Sequence, residues 1–292
     1  MDIMPNKTVE FEDGNSMLVD ELNKRTFTKD MLSKDDYYIK VGKTSPKLKE
    51  EIKNELSQKF NINVSNVLDE IDFENDTNAI MGYTVYSMLM KNFEFIVPFD
   101  KLGGFRFDDS EGYVEYFGIN NASDESLNQN VEVLFYNNQN DFAVKLKTKE
   151  NEELILYMNE TYTSFNDMYN EIEEKSKNYS GDKTFNQSDE LKIPYINVDT
   201  IINYDELCGK IIKDTDQMYI SNAIQNVKFT LNEKGGNLLS EATVVSEYNS
   251  LAENARFFNF TKPFVLFMKE ENKSKPYFSL KVDNVNILEI EE

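Results

Sequence analysis

Residues 233–268 constrain this chain more than any other stretch. They open with Glu233-Lys234-Gly235-Gly236, directly after the strand-like segment 215–232. They close with Phe258-Asn259-Phe260-Thr261-Lys262-Pro263-Phe264-Val265-Leu266-Phe267-Met268. Residues Phe264–Met268 are apolar without a break, as in a buried strand. Thirty residues separate Glu233 from Pro263, and 236–257 read as a long connection between two rigid strands. Such connections run over the surface, and surface loops on rigid scaffolds are where binding residues concentrate.

The rest of the chain reads as strands with few helices. Residues 8–19 alternate weakly and predict a strand with a turn at Asp13-Gly14. Ser45-Pro46 predicts a helix start, because Ser caps well and Pro suits the first helical position. Leu48, Ile52, Leu56 and Phe60 then follow at intervals of four along one face. Asn78–Pro98 is rich in Val, Tyr, Phe and Met and predicts buried strand. Phe105–Asn120, Val131–Tyr136 and Phe142–Lys147 predict successive strands, with a hairpin turn at Asn137–Asp141. Phe165, Met168, Tyr169 and Ile172 predict a short amphipathic helix, and Lys175–Glu190 a polar surface loop. Segments 257–269 and 276–290 predict strands again. No repeat and no linker divides the chain, so residues 1–292 are expected as a single domain.

Composition excludes several classes of function. The 292 residues are 40% hydrophobic with 21 Phe and 16 Tyr, enough for a sizeable core. A net charge of −22 argues against nucleic-acid partners, because phosphate contacts need a basic surface. It also disfavours anionic membranes. No stretch approaches the roughly 18 apolar residues of a membrane helix. The N-terminal residues Met1–Lys7 lack a signal-peptide run. The compartment stays open, with a cytoplasmic one favoured over secretion. Cys208 stands alone, so no intrachain disulfide is possible. The chain has no His, which removes Ser-His-Asp and Cys-His catalysis and His-based zinc sites. Gly103-Gly104 and Gly235-Gly236 lack a phosphate-loop pattern. Asp108-Asp109-Ser110-Glu111 has no EF-hand register and reads as a charged turn. Neither an enzyme activity, a metal nor a cofactor is expected.

The motifs as a set resemble those of the serpin family. Glu233-Lys234-Gly235-Gly236 is similar to the serpin hinge E-[EK]-G-T, and Phe258–Phe264 to the C-terminal signature F-x-x-x-[KRH]-P-F. Lys273–Val282 is similar to the terminal serpin strand, and Met218–Phe229 to the central strand of the large sheet. Ile193–Val198 resembles "L-P-K-F-x-I", and Asn203–Leu207 the "x-Y-D-L" after it. Pro98-Phe99-Asp100 resembles the "P-F" that ends another sheet strand, and 47–75 the helix lying over that sheet. Asp13–Val19 resembles an earlier strand. The match runs in order over about residues 9–285.

The resemblance implies an α+β serpin-like fold: a large mixed β-sheet, a second barrel-like sheet and surface helices. The family's N-terminal helices have no counterpart, so the expected form is N-terminally truncated. It implies a peptidase inhibitor that presents an exposed reactive loop, here in the region 233–257, to a serine- or cysteine-type protease. The alternative is a non-inhibitory binding or structural protein on the same scaffold that has lost loop insertion, with another protein as its partner. The hinge residues would be Glu233, Lys234, Gly235 and Gly236. Counting seventeen residues from Glu233 puts the scissile bond at Asn249–Ser250, with Tyr248 or Leu251 as alternatives.

In this family a cleaved loop inserts into the large sheet as a new strand, which requires alternate side chains to face the core. Gly236, Leu238, Ser240, Ala242, Val244 and Ser246 form one uncharged set that permits this. Several departures oppose it. Leu238-Leu239 are bulkier than the usual Ala run. The shutter histidine is replaced by Gln225, and the neighbouring shutter asparagine falls at Tyr83 or Ser87. The sheet-top tryptophan falls at Lys91 or Phe95. Weak insertion is expected.

Overall fold

The computed structural model describes residues 8–24, 32–61, 68–69, 71, 73, 82–236 and 255–290. In chain order the elements are α1 (Met17–Asn23), β1 (Tyr37–Lys43), α2 (Pro46–Phe60), β2 (Gly82–Leu89), β3 (Phe93–Glu94), β4 (Asp100–Arg106) and β5 (Tyr113–Ile119). Then come β6 (Val131–Asn138), β7 (Asp141–Lys147), β8 (Glu152–Met158), α3 (Phe165–Asn178), β9 (Glu190–Pro194) and β10 (Ile196–Asn203). The last are β11 (Tyr219–Leu231), β12 (Gly235–Gly236), β13 (Phe257–Asn259), β14 (Phe264–Glu270) and β15 (Phe278–Val282). The chain forms two compact units, Met1–Met90 with Asp199–Lys228, and Lys91–Val198 with Phe229–Glu292.

The first unit is built on a mixed sheet of order β1-β2-β11-β10. β1 and β2 are antiparallel, with Val41 opposite Val85. β2 and β11 are parallel, with Gln225 opposite Ser87 and a bulge between Ile220 and Asn222. β2 alternates buried and half-buried residues, because its side chains point to opposite faces and only one face is fully covered. The cover is α2. Ser45 caps it by accepting from the Leu48 amide at 3.2 Å, and Pro46 opens it. Asn61 ends it in the left-handed conformation, φ 54°, which Asn tolerates. Leu48, Ile52 and Leu56 pack with Tyr38, Tyr86, Met88 and Ile224. That is the stripe read from the sequence.

The expected strand over 8–19 does not form. Phe11 makes one bridge, to Ile212, and Met17–Asn23 is helical. Local side chains take the backbone groups a ladder would need. Asn15 accepts from the Phe11 amide at 3.0 Å and donates to the Val9 carbonyl at 3.2 Å, and Ser16 caps α1. Asn and Ser compete with strand pairing in this way.

The second unit carries an antiparallel sheet of order β15-β14-β8-β7-β6 and a mixed one of order β13-β9-β5-β4. Phe264–Met268 of β14 is buried throughout. The β6–β7 hairpin turns where predicted, with Asn138 opposite Asp141. α3 lays Met168, Tyr169 and Ile172 on Phe135, Tyr157, Val265 and Phe267, while Phe165 is largely exposed. A ring cluster of Phe142, Phe258, Phe260 and Phe264, with neighbouring centroids 5.0–5.4 Å apart, fills the core. Segment 175–190 is not simply a surface loop: α3 continues to Asn178, and Phe185 and Asp189 are buried. Among the described residues the mixed β11 sheet has four strands and the antiparallel sheet five. Neither closes into a barrel.

Candidate functional site

Glu233, Lys234, Gly235 and Gly236, the residues expected as a hinge, sit in a tight return turn. Asn232 and Gly235 exchange backbone hydrogen bonds, N to O, at 2.9 and 3.2 Å. The Asn232 side chain accepts from the Lys234 amide at 2.9 Å, the Asx closure that favours Asn at such a position. Gly235 and Gly236 then pair antiparallel with Glu94 and Phe93. Flanking this pair, the Phe95 amide donates to the Lys234 carbonyl and the Phe99 amide to the Glu233 carbonyl, both at 2.8 Å. This segment is further held by the bridge of Phe95, just after β3, to Thr148 and by a Lys149–Glu94 ion pair at 2.6 Å.

Both glycines are required here. Gly235 has φ +142°, and a Cβ there would lie 2.1 Å from the Phe93 carbonyl oxygen. A Cβ on Gly236 would lie 2.4 Å from the Phe93 ring. The family threonine that the sequence lacks at Gly236 is thus replaced by packing space for Phe93.

Glu233 is 4% exposed. Its carboxylate accepts from the Tyr195 hydroxyl at 2.8 Å. Lys101 Nζ lies 3.6 Å away and Lys234 Nζ 3.9 Å. Burial drives the Tyr195 phenol well above its ordinary range, and the hydrogen bond and charge of Glu233 add to this. Desolvation and the Glu233 charge push Glu289 up, with Lys101 opposing. A carboxylate buried here is tolerable because it is bonded and faces a cation.

The far end of the 236–257 connection is fixed more strongly. Arg256 Nε and Nη2 grip Asp189 Oδ1 and Oδ2 at 3.2 and 2.6 Å, the two-pronged pairing typical of Arg with a carboxylate. Its Nη1 donates to the Asp182 carbonyl at 2.6 Å, and Nη2 also reaches the Thr184 carbonyl. Sequence reading missed this clamp. The available signal was that Arg256 is one of only three arginines among 31 basic residues. The residues Tyr248, Asn249, Ser250 and Leu251, expected at the scissile bond, lie outside the described residues.

The central sheet shows where the expected replacements fall. Gln225 Oε1 accepts from the Tyr204 hydroxyl at 2.6 Å, and its register partner is Ser87 rather than Tyr83. Lys91 is committed to Glu152 at 2.7 Å, whereas Phe95 lies beside the hinge. Next to Gln225, Asn226 is fully buried, and among the described residues neither its Oδ1 nor its Nδ2 has a hydrogen-bond partner. The buried Tyr86 hydroxyl has none among the described residues either. Burial raises the Tyr86 phenol and the nearby Asn226 side chain counteracts this, although the two do not reach hydrogen-bond geometry. Among the described residues no group of three or more His, Cys, Asp or Glu is placed to hold a metal ion. No described helix is long and apolar enough to cross a membrane.

No protein-family model and no curated protein sequence matches this chain. Solved structures do. Serpin48 of the insect Tenebrio molitor is 12% identical with a TM-score of 0.52, over 92% of this chain and 85% of its own. The mouse protein-Z dependent protease inhibitor is 13% identical with a TM-score of 0.54, over 82% of this chain and 63% of its own. Human thyroxine-binding globulin in complex with thyroxine is 11% identical with a TM-score of 0.50, over 91% and 78%. The chain therefore has the serpin fold, in a divergent form. Mixed sheets with few helices define it as α+β.

Proposed function

We propose that this protein is a divergent serpin-family peptidase inhibitor acting as a decoy. It offers the chain after Gly236 as bait to a serine- or cysteine-type endopeptidase, with the attacked bond at Asn249–Ser250 or beside Tyr248 or Leu251. Residues 1–292 act as one domain in this reading. The observation that carries it is the direct parallel pairing of β2 with β11, followed in the chain by the Glu233–Gly236 turn. A serpin fold with no strand between those two, and a hinge directly after the second, is the uninserted arrangement of a bait-loop protein.

The test is incubation with a panel of serine and cysteine peptidases. Slowed turnover of a small peptide substrate, with the first cut between Glu241 and Asn254, is expected. A panel in which no enzyme is slowed and none cuts that segment overturns the reading. An adduct stable in SDS would extend it from decoy to full trapping.

A second reading is a non-inhibitory binding protein on the same scaffold. The pinned hinge favours it, and so does the similarity to a globulin whose structure is a complex with thyroxine. Fold alone does not choose between these functions.

A further inference from the structure

β1 is an edge of the mixed sheet in the first unit, and among the described residues β2 is its one strand partner. The bonds flanking this ladder fix which backbone groups of β1 are used. The Met90 amide donates to the Asp36 carbonyl at 3.0 Å, and the Thr44 amide to the Gly82 carbonyl at 2.9 Å. Bonded and unbonded positions alternate along an antiparallel ladder, so Tyr38, Lys40 and Gly42 turn their backbone groups to β2. Those of Tyr37, Ile39 and Val41 turn outward, and no described residue takes them. The side chains divide in the same way. Gly42 faces α2, where a Cβ would lie 2.7 Å from a Leu48 methyl. Ile39, on the opposite face, is 49% exposed. Natural sheets guard such edges with Pro, a bulge, short length or a free lysine. β1 runs for seven residues without Pro, and its register with β2 has no shift. Its central charge, Lys40, is already held by Glu55 and Glu51 at 2.6 and 3.5 Å.

We propose that β1 pairs antiparallel with β1 of a second copy of this chain, with Ile39 on the two-fold axis. The strand is complementary to itself in this register. Ile39 comes opposite Ile39, and Tyr37 opposite Val41, an aromatic residue against a β-branched one, which favours cross-strand pairing. On the α2 face Tyr38 comes opposite Lys40, so like charges do not meet. Beyond the strand, the exposed Asp35 comes level with the exposed Lys43 of the second copy. Moving the axis to Lys40 would oppose two lysines, and a one-residue slip would set outward backbone groups against groups already spent on β2. The net charge of −22 does not forbid the contact. Repulsion between exposed charges is largely screened beyond about 8 Å at physiological ionic strength, and β1 itself carries two lysines and no acid. A contact of this kind buries the same patch on both copies and closes at the dimer. It uses neither the Glu233–Gly236 turn nor the 236–257 connection, and it stands apart from the bait-loop reading.

Sedimentation equilibrium of the whole chain tests this. An edge contact is small, so a dissociation constant on the order of 10 μM is expected. Ile39→Lys sets two ammonium groups face to face on the axis and should weaken association about tenfold or more. Ile202→Lys, at a 39% exposed position of β10, should leave it unchanged. Lys43→Asp should weaken it, and Asp35→Lys added to that variant should restore it. Cross-linking reads the register. In a Cys208→Ser background, Ile39→Cys places the two equivalent Cα atoms about 5.5 Å apart, and a short bifunctional thiol reagent should join the copies. Tyr37→Cys places them about 14 Å apart along the paired strands, and the same reagent should not. The proposal is overturned by a chain still monomeric at about 100 μM, by an Ile39→Lys dimer as tight as wild type, or by linkage at Tyr37→Cys as efficient as at Ile39→Cys. A monomer whose β1 instead takes a strand from a different protein overturns it as well.

Discussion

The antiparallel sheet of the second unit and the mixed sheet of the first are built to different standards. In the former, Phe264–Met268 of β14 is buried residue after residue, and at the entry to β6 the buried Asn130, last residue of a short 3-10 turn, has both of its polar side-chain atoms bonded. Its Nδ2 donates to the Val97 carbonyl at 2.6 Å and its Oδ1 accepts from the Val97 amide at 3.2 Å. In the latter, β2 is fully covered on one face only, and the side chain of the equally buried Asn226 has no hydrogen-bond partner among the described residues. The same residue type, with 0% exposure at both positions, completes one structure and burdens the other. An unpartnered buried polar group carries its full desolvation cost. Among the described residues, the unpartnered atoms of Asn226 are therefore a cost that the β2–β11 pair carries in the folded state. No described residue of the antiparallel sheet has a buried side-chain polar atom left unpartnered.

The largest test of this contrast is truncation. Phe267→Ala in β14 should cost about 3–5 kcal/mol, the usual range for emptying a buried aromatic site. Leu89→Ala, on the half-buried face of β2, should cost under about 1.5 kcal/mol, since less apolar area is lost. Urea denaturation measures both, and equal costs would break the comparison.

The asparagines should differ in sign. Asn130→Ala should lose about 1–3 kcal/mol by stranding both Val97 groups, whereas Asn226→Val should gain about 1–2 kcal/mol by removing two unpartnered atoms. The readout is the urea midpoint at unchanged slope. A destabilised Asn226→Val would mean that Asn226 has partners in solution, such as a buried water.

The smallest effect is electrostatic. Hydrogen bonds from Lys40, at 2.6 Å, and Tyr38, at 2.7 Å, hold Glu55 below the ordinary value of 4.5. The folded pKa lies below the unfolded one. The contribution is therefore complete above the ordinary value and fades as pH falls through the lowered one. Because Glu55 is 43% exposed, Glu55→Gln should cost under about 1 kcal/mol at neutral pH. The gap between wild type and variant should close as the pH drops below 4.5. A gap that persists in acid would show that packing, not charge, is at work there.

Much of this architecture was legible because its signals are local. Ser45-Pro46 with a four-residue apolar interval gave α2, and Asn137–Asp141 gave the β6–β7 turn. Gly235-Gly236, after a strand and before a family signature, marked the place where the structure makes the Asn232–Gly235 turn. What holds the hinge was not legible. Tyr195 and Glu233 are 38 residues apart, and Arg256 and Asp189 are 67 apart. No local period encodes such pairings. The Phe93 ring under Gly236 explains a departure that the sequence presented only as a loss. The helix at Met17–Asn23 was misread for the opposite reason: Asn15 and Ser16 decide it locally, and weak alternation outweighed them in the reading.

The central claim is that this chain keeps the serpin scaffold and its bait but restrains the spring. The paired and hydrogen-bonded turn at Glu233–Gly236 opposes straightening of the chain there, and the bulk of Leu238-Leu239 in the sequence is expected to oppose insertion. The direct test is the melting temperature before and after a single cut between Glu241 and Asn254. The account predicts a change of only a few degrees, on the scale of the ~2–4 °C that about 1 kcal/mol gives in a chain this size. A rise on the order of tens of degrees, far beyond that scale, would show that the cut chain inserts as a full strand, and would contradict it.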